Sequence, residues 1–218
     1  MGRSRPFADR ADAGRRLAGV LPVLAGDVLV LGLARGGVPV AAEVARSREA
    51  PLDVLVVRKV GHPRQPEYAL GAVSEDGVTL PDDLPEELVE PQLARAREQA
   101  IGLRAGRPRE RLKDRTVVVV DDGLATGRSM AAALETARRA GAVGIVMAVP
   151  VASGPGFRGL TEGCEGHAAW VVEPPEFFAV GQFYDDFGQV ADEEVTALLH
   201  AGGEGASPAA DGLSPPPS

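Results

Sequence analysis

Five short apolar runs constrain this chain more than any other feature. VLVLGL (28–33), LDVLVV (52–57), VVVVD (117–121), GIVMAVPV (144–151) and AAWVV (168–172) are rich in β-branched residues and scarcely alternate with polar ones. A strand with one wet face alternates, whereas a strand buried on both faces does not. The runs therefore predict a mainly parallel sheet covered by helices on both sides. Helical spacing fills the gaps between them. Leu17, Leu21 and Leu24 recur at four and three residues, and Met130, Leu134 and Ala137 do the same ahead of Gly141, a C-terminal cap. Pro39 opens PVAAEVARS, where a helix start tolerates proline. A charged helix is predicted over about 85–104. Strands alternating with helices imply right-handed crossovers and a doubly wound α/β fold.

With 218 residues, 44% of them hydrophobic, the chain suits one core. A single domain is expected over residues 1–201, followed by a disordered tail over 202–218, which is rich in Gly, Ala, Ser and Pro. Residues 61–79 mix proline, glycine and charge and read as a long loop or loose hairpin of the lid kind. The charged N-terminus and the lack of any apolar run of membrane length argue against membrane association and for a cytoplasmic protein. The single cysteine, Cys164, has no internal disulfide partner, which agrees with a reducing compartment. The net charge of −8 comes from the C-terminal end, where eleven acids and only Arg158 follow residue 140. The eight basic residues between Arg95 and Arg115 suit a solvated helix face, so nucleic acid is not an expected partner.

The strand VVVV runs straight into Asp121 and Asp122, then Gly123, Leu124, Ala125, Thr126, Gly127, Arg128 and Ser129, and then a helix. Glycines let the backbone turn and present N–H groups, the helix start adds a positive dipole end, and the two hydroxyls add donors: an anion cradle. The paired carboxylates would repel a phosphate and should face hydroxyls or a cation. A sugar phosphate satisfies both halves.

This string resembles the phosphoribosyl pyrophosphate signature of the type I phosphoribosyltransferases, most closely the adenine-type version with Ala-Thr-Gly, and the resemblance extends over about residues 10–195. It implies that family's fold with a small hood (about 80–112 and 173–190), and phosphoribosyl transfer to a small-molecule acceptor. GLARGGVPVAAEVA (32–45) looks like the family's pyrophosphate loop, so Ala34, Arg35, Gly36 and Gly37 would meet the pyrophosphate across a cis Ala34–Arg35 peptide, with Arg58 and Lys59 as nearby cations. Asp121 and Asp122 would hold the ribose, and Glu67, in a lid with Pro63, Pro66 and Tyr68, is a candidate acid or base. The RKVG, Pro-Glu and GAV pattern is similar to a group of bacterial phosphoribosyltransferase-like proteins. Phe178 would stack on the acceptor with Asp185 beyond it, although Phe177, Phe178, Phe183 and Tyr184 could equally be core. Two departures from the 6-oxopurine enzymes stand out: AWVVEPP, just upstream of this segment, holds no lysine, and Ala125 replaces an acid. Magnesium would arrive bound to substrate, without a set of protein ligands. A homodimer is compatible with the resemblance. So is a second reading, a regulator of the same fold that senses phosphoribosyl pyrophosphate without catalysis.

Overall fold

In the computed structural model, residues 5–161, 164, 166–172, 174 and 176–203 are described. The order is α1 (Arg10–Val20), β1 (Val28–Leu33), α2 (Gly37–Arg48), β2 (Leu52–Leu55), β3 (Val57–His62), β4 (Gln65–Ser74), β5 (Thr79–Leu80), α3 (Glu86–Arg104), β6 (Thr116–Val120), α4 (Arg128–Arg139), β7 (Gly144–Ala152), α5 (Gly154–Thr161), β8 (Gly166–Val172), a 3-10 turn (Val180–Phe183) and α6 (Asp192–Gly203). Five strands form a parallel sheet in the order β2-β1-β6-β7-β8, and β3, β4 and β5 form a separate antiparallel sheet.

The parity of the strands explains why their sequences do not alternate. Val30, Val54, Val118, Val120, Val146 and Ala148 face one layer, where they meet α1, α2, α3 and α6 through Leu17, Val40, Ala96, Val195 and Leu199. Leu29, Leu31, Val117, Val119, Ile145 and Met147 face the other, against Met130, Ala133 and Leu134 of α4 and Phe157 of α5. Both faces are dry, so both parities are apolar.

Several boundaries differ from expectation. The first helix stops at Val20 rather than reaching Leu24, because Leu21 precedes Pro22 and takes extended backbone (φ −65°, ψ 140°). The run 52–57 divides: β2 ends at Leu55 and Val57 already pairs with Ser74 in the second sheet. The expected lid is built mainly as the β3–β4 hairpin, with register shifts at Gly61 and His62. α5 holds three glycines in eight residues, which obscures the helical spacing of Phe157 and Leu160, while α6 opens on Asp192, Glu193 and Glu194, which suit a helix N-terminus. α6 includes Gly202 and Gly203, two residues into the expected tail; residues 204–218 lie outside the described part.

One buried ionic cluster ties the hairpin to the main sheet. Arg104, at the end of α3, donates to Asp53 of β2 at 3.0 Å, to Glu75 at the end of the hairpin at 2.8 and 2.9 Å, and to the Val54 carbonyl at 2.6 Å. Burial works against its charge, but Glu75 and Asp53 together hold the guanidinium pKa above its ordinary value. Asp53 also accepts the Glu110 N–H at 2.9 Å, so both carboxylates are engaged.

Candidate active site

The strand order reverses between β1 and β6, and in open α/β sheets ligands bind at the carboxyl ends of strands where that reversal opens a crevice. Gly32 of β1 pairs with Val120 of β6, so the turn after Leu33 and the acids after Val120 emerge side by side. Gly36 and Gly37 are needed for this approach. A Cβ on Gly36 would overlap Oδ2 of Asp122, and one on Gly37 would lie 2.6 Å from the Val120 carbonyl oxygen and 2.9 Å from Cα of Asp121. The Ala34–Arg35 peptide is cis, and α2 begins directly after it.

The two acids are not equivalent. Asp121 accepts the Asp122 N–H at 2.9 Å, whereas Asp122 accepts from Nε of Arg10 at 3.0 Å. The side chains of Arg10 and Asp122 are only 13% and 16% exposed. Burial pushes Asp121 well above the usual carboxylate range, and the neighbouring Asp122 charge adds to the rise. Burial also raises Asp122, against the opposing pull of Arg10. Tyr184 is fully buried and donates its hydroxyl to the Asp122 carbonyl at 2.6 Å; burial first, then the Asp122 charge, raises its pKa.

After the acids the chain forms a loop whose floor is fastened to β7. Leu124 is buried; its N–H donates to the Val151 carbonyl and its carbonyl accepts from Ser153 N–H, each at 2.8 Å. Leu124 is thus an anchor, and its N–H is unavailable to a ligand. The Ala125 carbonyl accepts from the Ser153 hydroxyl. Gly127 takes left-handed backbone (φ 77°, ψ 0°) as the N-cap of α4. The helix ladder starts with Ala131 N–H on the Gly127 carbonyl, so the amides of Arg128, Ser129 and Met130 precede it and remain directed out of the helix start. Thr126 is exposed and Ser129 half-buried beside them. Arg128 reaches across to the Ala69 carbonyl on β4, linking the loop to the hairpin.

The expected cations separate by strand parity. Arg58 turns to α3 and donates to Gln92 and Gln99, both at 3.2 Å. Lys59 is exposed on the opposite face of β3, the face on which Val57 packs with the cluster holding Leu124 and Met130. Arg35 is 3.4 Å from Asp192 at the start of α6. Glu67 lies on β4, and its side chain, with those of Pro66 and Tyr68, is outside the described ones.

The aromatics of the C-terminal segment also divide. Phe183 and Tyr184 are buried, Phe177 packs against Phe183 with ring centres 5.6 Å apart, and Phe178 stands 85% exposed. Gln182 fixes this outward pose by accepting the N–H groups of Phe178 and Ala179 and donating to the Glu176 carbonyl at 2.6 Å. Val180 packs where a Gly123 side chain would stand, so the segment crosses the loop. Asp185 is exposed, and its N–H donates to the Phe7 carbonyl. Sequence reasoning missed Arg10 and Gln182. Arg10 is one of four arginines within residues 5–16, and nothing local distinguishes it from Arg15 or Arg16.

The phosphoribosyl transferase domain family matches residues 13–159. Proteins of Mycobacterium tuberculosis strains CDC 1551 and H37Rv, each named "Putative phosphoribosyl transferase", are 48% identical over 208 residues, covering 88% of this chain and 46% of theirs. The chain thus spans less than half the length of these curated relatives. The crystal structure of TT1426 from Thermus thermophilus matches with a TM-score of 0.75 and 46% identity over 88% of this chain and 97% of that one. On the extent of the family match and on these identities, the chain belongs to the phosphoribosyl transferase domain family and has the type I phosphoribosyltransferase fold.

Proposed function

We propose that the chain transfers the 5-phosphoribosyl group of phosphoribosyl pyrophosphate to a nitrogenous base or another small nucleophile, releasing pyrophosphate. One observation carries this reading: an acid pair lies between two helix starts at the switch point of the sheet. A sugar diol flanked by phosphate groups needs that order of partners. The 5'-phosphate takes the amides ahead of α4, with Thr126 and Ser129 adding hydroxyl donors. Ala34, Arg35, Gly36 and Gly37 take the pyrophosphate, with the exposed Lys59 as a further cation. Arg58 is committed to Gln92 and Gln99 and has a supporting part.

Asp121, the acid not hydrogen-bonded to Arg10, takes ribose hydroxyls, and its ionised form is favoured as the neighbouring anomeric carbon becomes cationic. The bond from that carbon to the pyrophosphate oxygen breaks as the bond to the acceptor nitrogen forms, and the acceptor's proton leaves to a base, for which Glu67 is the candidate. Magnesium carried in on the substrate would lean on phosphate oxygens and water, so this reading asks for no dedicated set of protein ligands. When bound it neutralises the leaving diphosphate.

In this reading Phe178, which is exposed, stacks on a flat acceptor, with Asp185 beyond it. Hypoxanthine and guanine should nevertheless be poor acceptors, because the segment lacks a lysine for the purine oxygen and Ala125 cannot act as an acid. Each unpaired buried group costs about 1–3 kcal/mol, so two cost on the order of a thousandfold in relative turnover. Turnover on hypoxanthine or guanine equal to that on every other acceptor would refute this.

The primary test is thermal. Phosphoribosyl pyrophosphate at about 100 times its Kd stabilises the folded state by about 2.7 kcal/mol, several degrees in Tm for a chain of this size, and the shift should require magnesium. No shift at millimolar ligand with magnesium present would end the assignment. A screen of acceptors with pyrophosphate release as readout then identifies the nucleophile. Asp121→Asn with Asp122→Asn should abolish release while the fold persists.

A further inference from the structure

Arg10 is held on three sides. Its Nε donates to Asp122 at 3.0 Å, an Nη donates to the Gly188 carbonyl at 2.8 Å, and its guanidinium lies 4.0 Å from the centre of the Phe187 ring. Asp122 in turn is pressed onto the turn between β1 and α2. The space a Gly36 side chain would fill is taken by the Asp122 carboxylate, with Nε of Arg10 3.4 Å away. A carboxylate therefore lies against the very backbone assigned to the pyrophosphate. Without a counter-charge in these largely buried surroundings, it would repel a diphosphate at short range. No other arginine of α1 substitutes for Arg10, since Arg15 and Arg16 pair with Asp12 and, for Arg15, Glu43.

We propose that Arg10 is a positioning residue for pyrophosphate: by pinning and neutralising Asp122 it lets the 34–37 turn accept a diphosphate next to an acid pair. Arg10 hydrogen-bonds Asp122 directly and acts on Asp121 only through space, so the two carboxylates are countered unequally. This rests on the reading of the site as one for phosphoribosyl pyrophosphate.

The test compares calorimetric binding of two probes, magnesium pyrophosphate and ribose 5-phosphate, to the wild type, Arg10→Gln, Arg10→Lys and the double variant Arg10→Gln/Asp122→Asn. Arg10→Gln should weaken pyrophosphate binding by at least about tenfold while ribose 5-phosphate, held chiefly by the loop before α4, changes far less. Arg10→Lys should recover most of the loss. The double variant should recover it too, because the repelling charge has gone with its partner. Wild-type pyrophosphate affinity in Arg10→Gln would overturn the proposal. A double variant as weak as the single one, or equal loss of both probes in every variant, would assign Arg10 a purely structural part and overturn it as well. A wild type that binds neither probe would refute the underlying reading itself, and the proposal with it.

Discussion

Asp121 is half-buried beside a second carboxylate, and only that neighbour is hydrogen-bonded to the Arg10 guanidinium. Its pKa is raised on folding, so the protonated form is favoured in the folded state. The stability associated with that proton is fully present below the unfolded carboxylate pKa of about 3.9 and is lost as pH rises through the folded value. Asp121→Asn removes the cost of the desolvated charge. The variant should therefore melt higher than the wild type at pH 8, and the difference should vanish near pH 3.5, while phosphoribosyl transfer is lost. A melting temperature unchanged at pH 8 would show that the folded protein does not pay for this charge. The acids and the loop to Ser129 could be singled out because they are contiguous along the chain, whereas the anchoring of Leu124 to β7 could not. Arg10 could not either, since its partner is 112 residues away, and neither could the division between Arg58 and Lys59, which depends on which face of β3 points to α3.

Among the elements, the five parallel strands were legible because burial on both faces leaves an unbroken apolar run. The hairpin was legible only as one of two alternatives, a long loop or a loose hairpin, because its prolines and glycines resemble a loop and its partner surfaces, α3 and α4, lie elsewhere in the sequence. What fixes the hairpin's base is Arg104, whose two carboxylate partners come from β2 and the end of β4. Arg104→Met would leave Asp53 and Glu75 buried without a counter-charge, a loss of about 3–5 kcal/mol in urea unfolding. Replacing all three groups by apolar residues of similar volume should cost far less, because no uncompensated charge remains. If the single and triple variants were equally destabilised, the cluster would act through packing rather than charge.

At the scale of the whole molecule, an N-terminal arm and a C-terminal segment complete the site together. Phe7 N–H donates to the Phe183 carbonyl at 3.1 Å, and the N–H groups of Asp185 and Asp186 return to Phe7 and Ala8 at 2.8 Å. Phe7 is fully buried, 5.2 Å from the Tyr184 ring centre. Phe7→Ala should cost about 3–5 kcal/mol and render the 176–188 segment sensitive to protease well below the melting temperature. Unchanged protection there would mean the segment holds without the arm. The same pairing sets an order on synthesis. Arg10 leaves the ribosome 178 residues ahead of Gly188, the carbonyl that receives it. At about 5–20 residues per second that interval is roughly 9–36 s, in which the strands can be made and paired while Phe7 has no ring to cover it and Arg10 has only part of its final surroundings. The crevice between β1 and β6 is thus encoded before β7 and β8 and is yet the last to acquire its walls, and a nascent chain stalled before residue 183 would carry an open acid pair and an uncovered aromatic at the same edge.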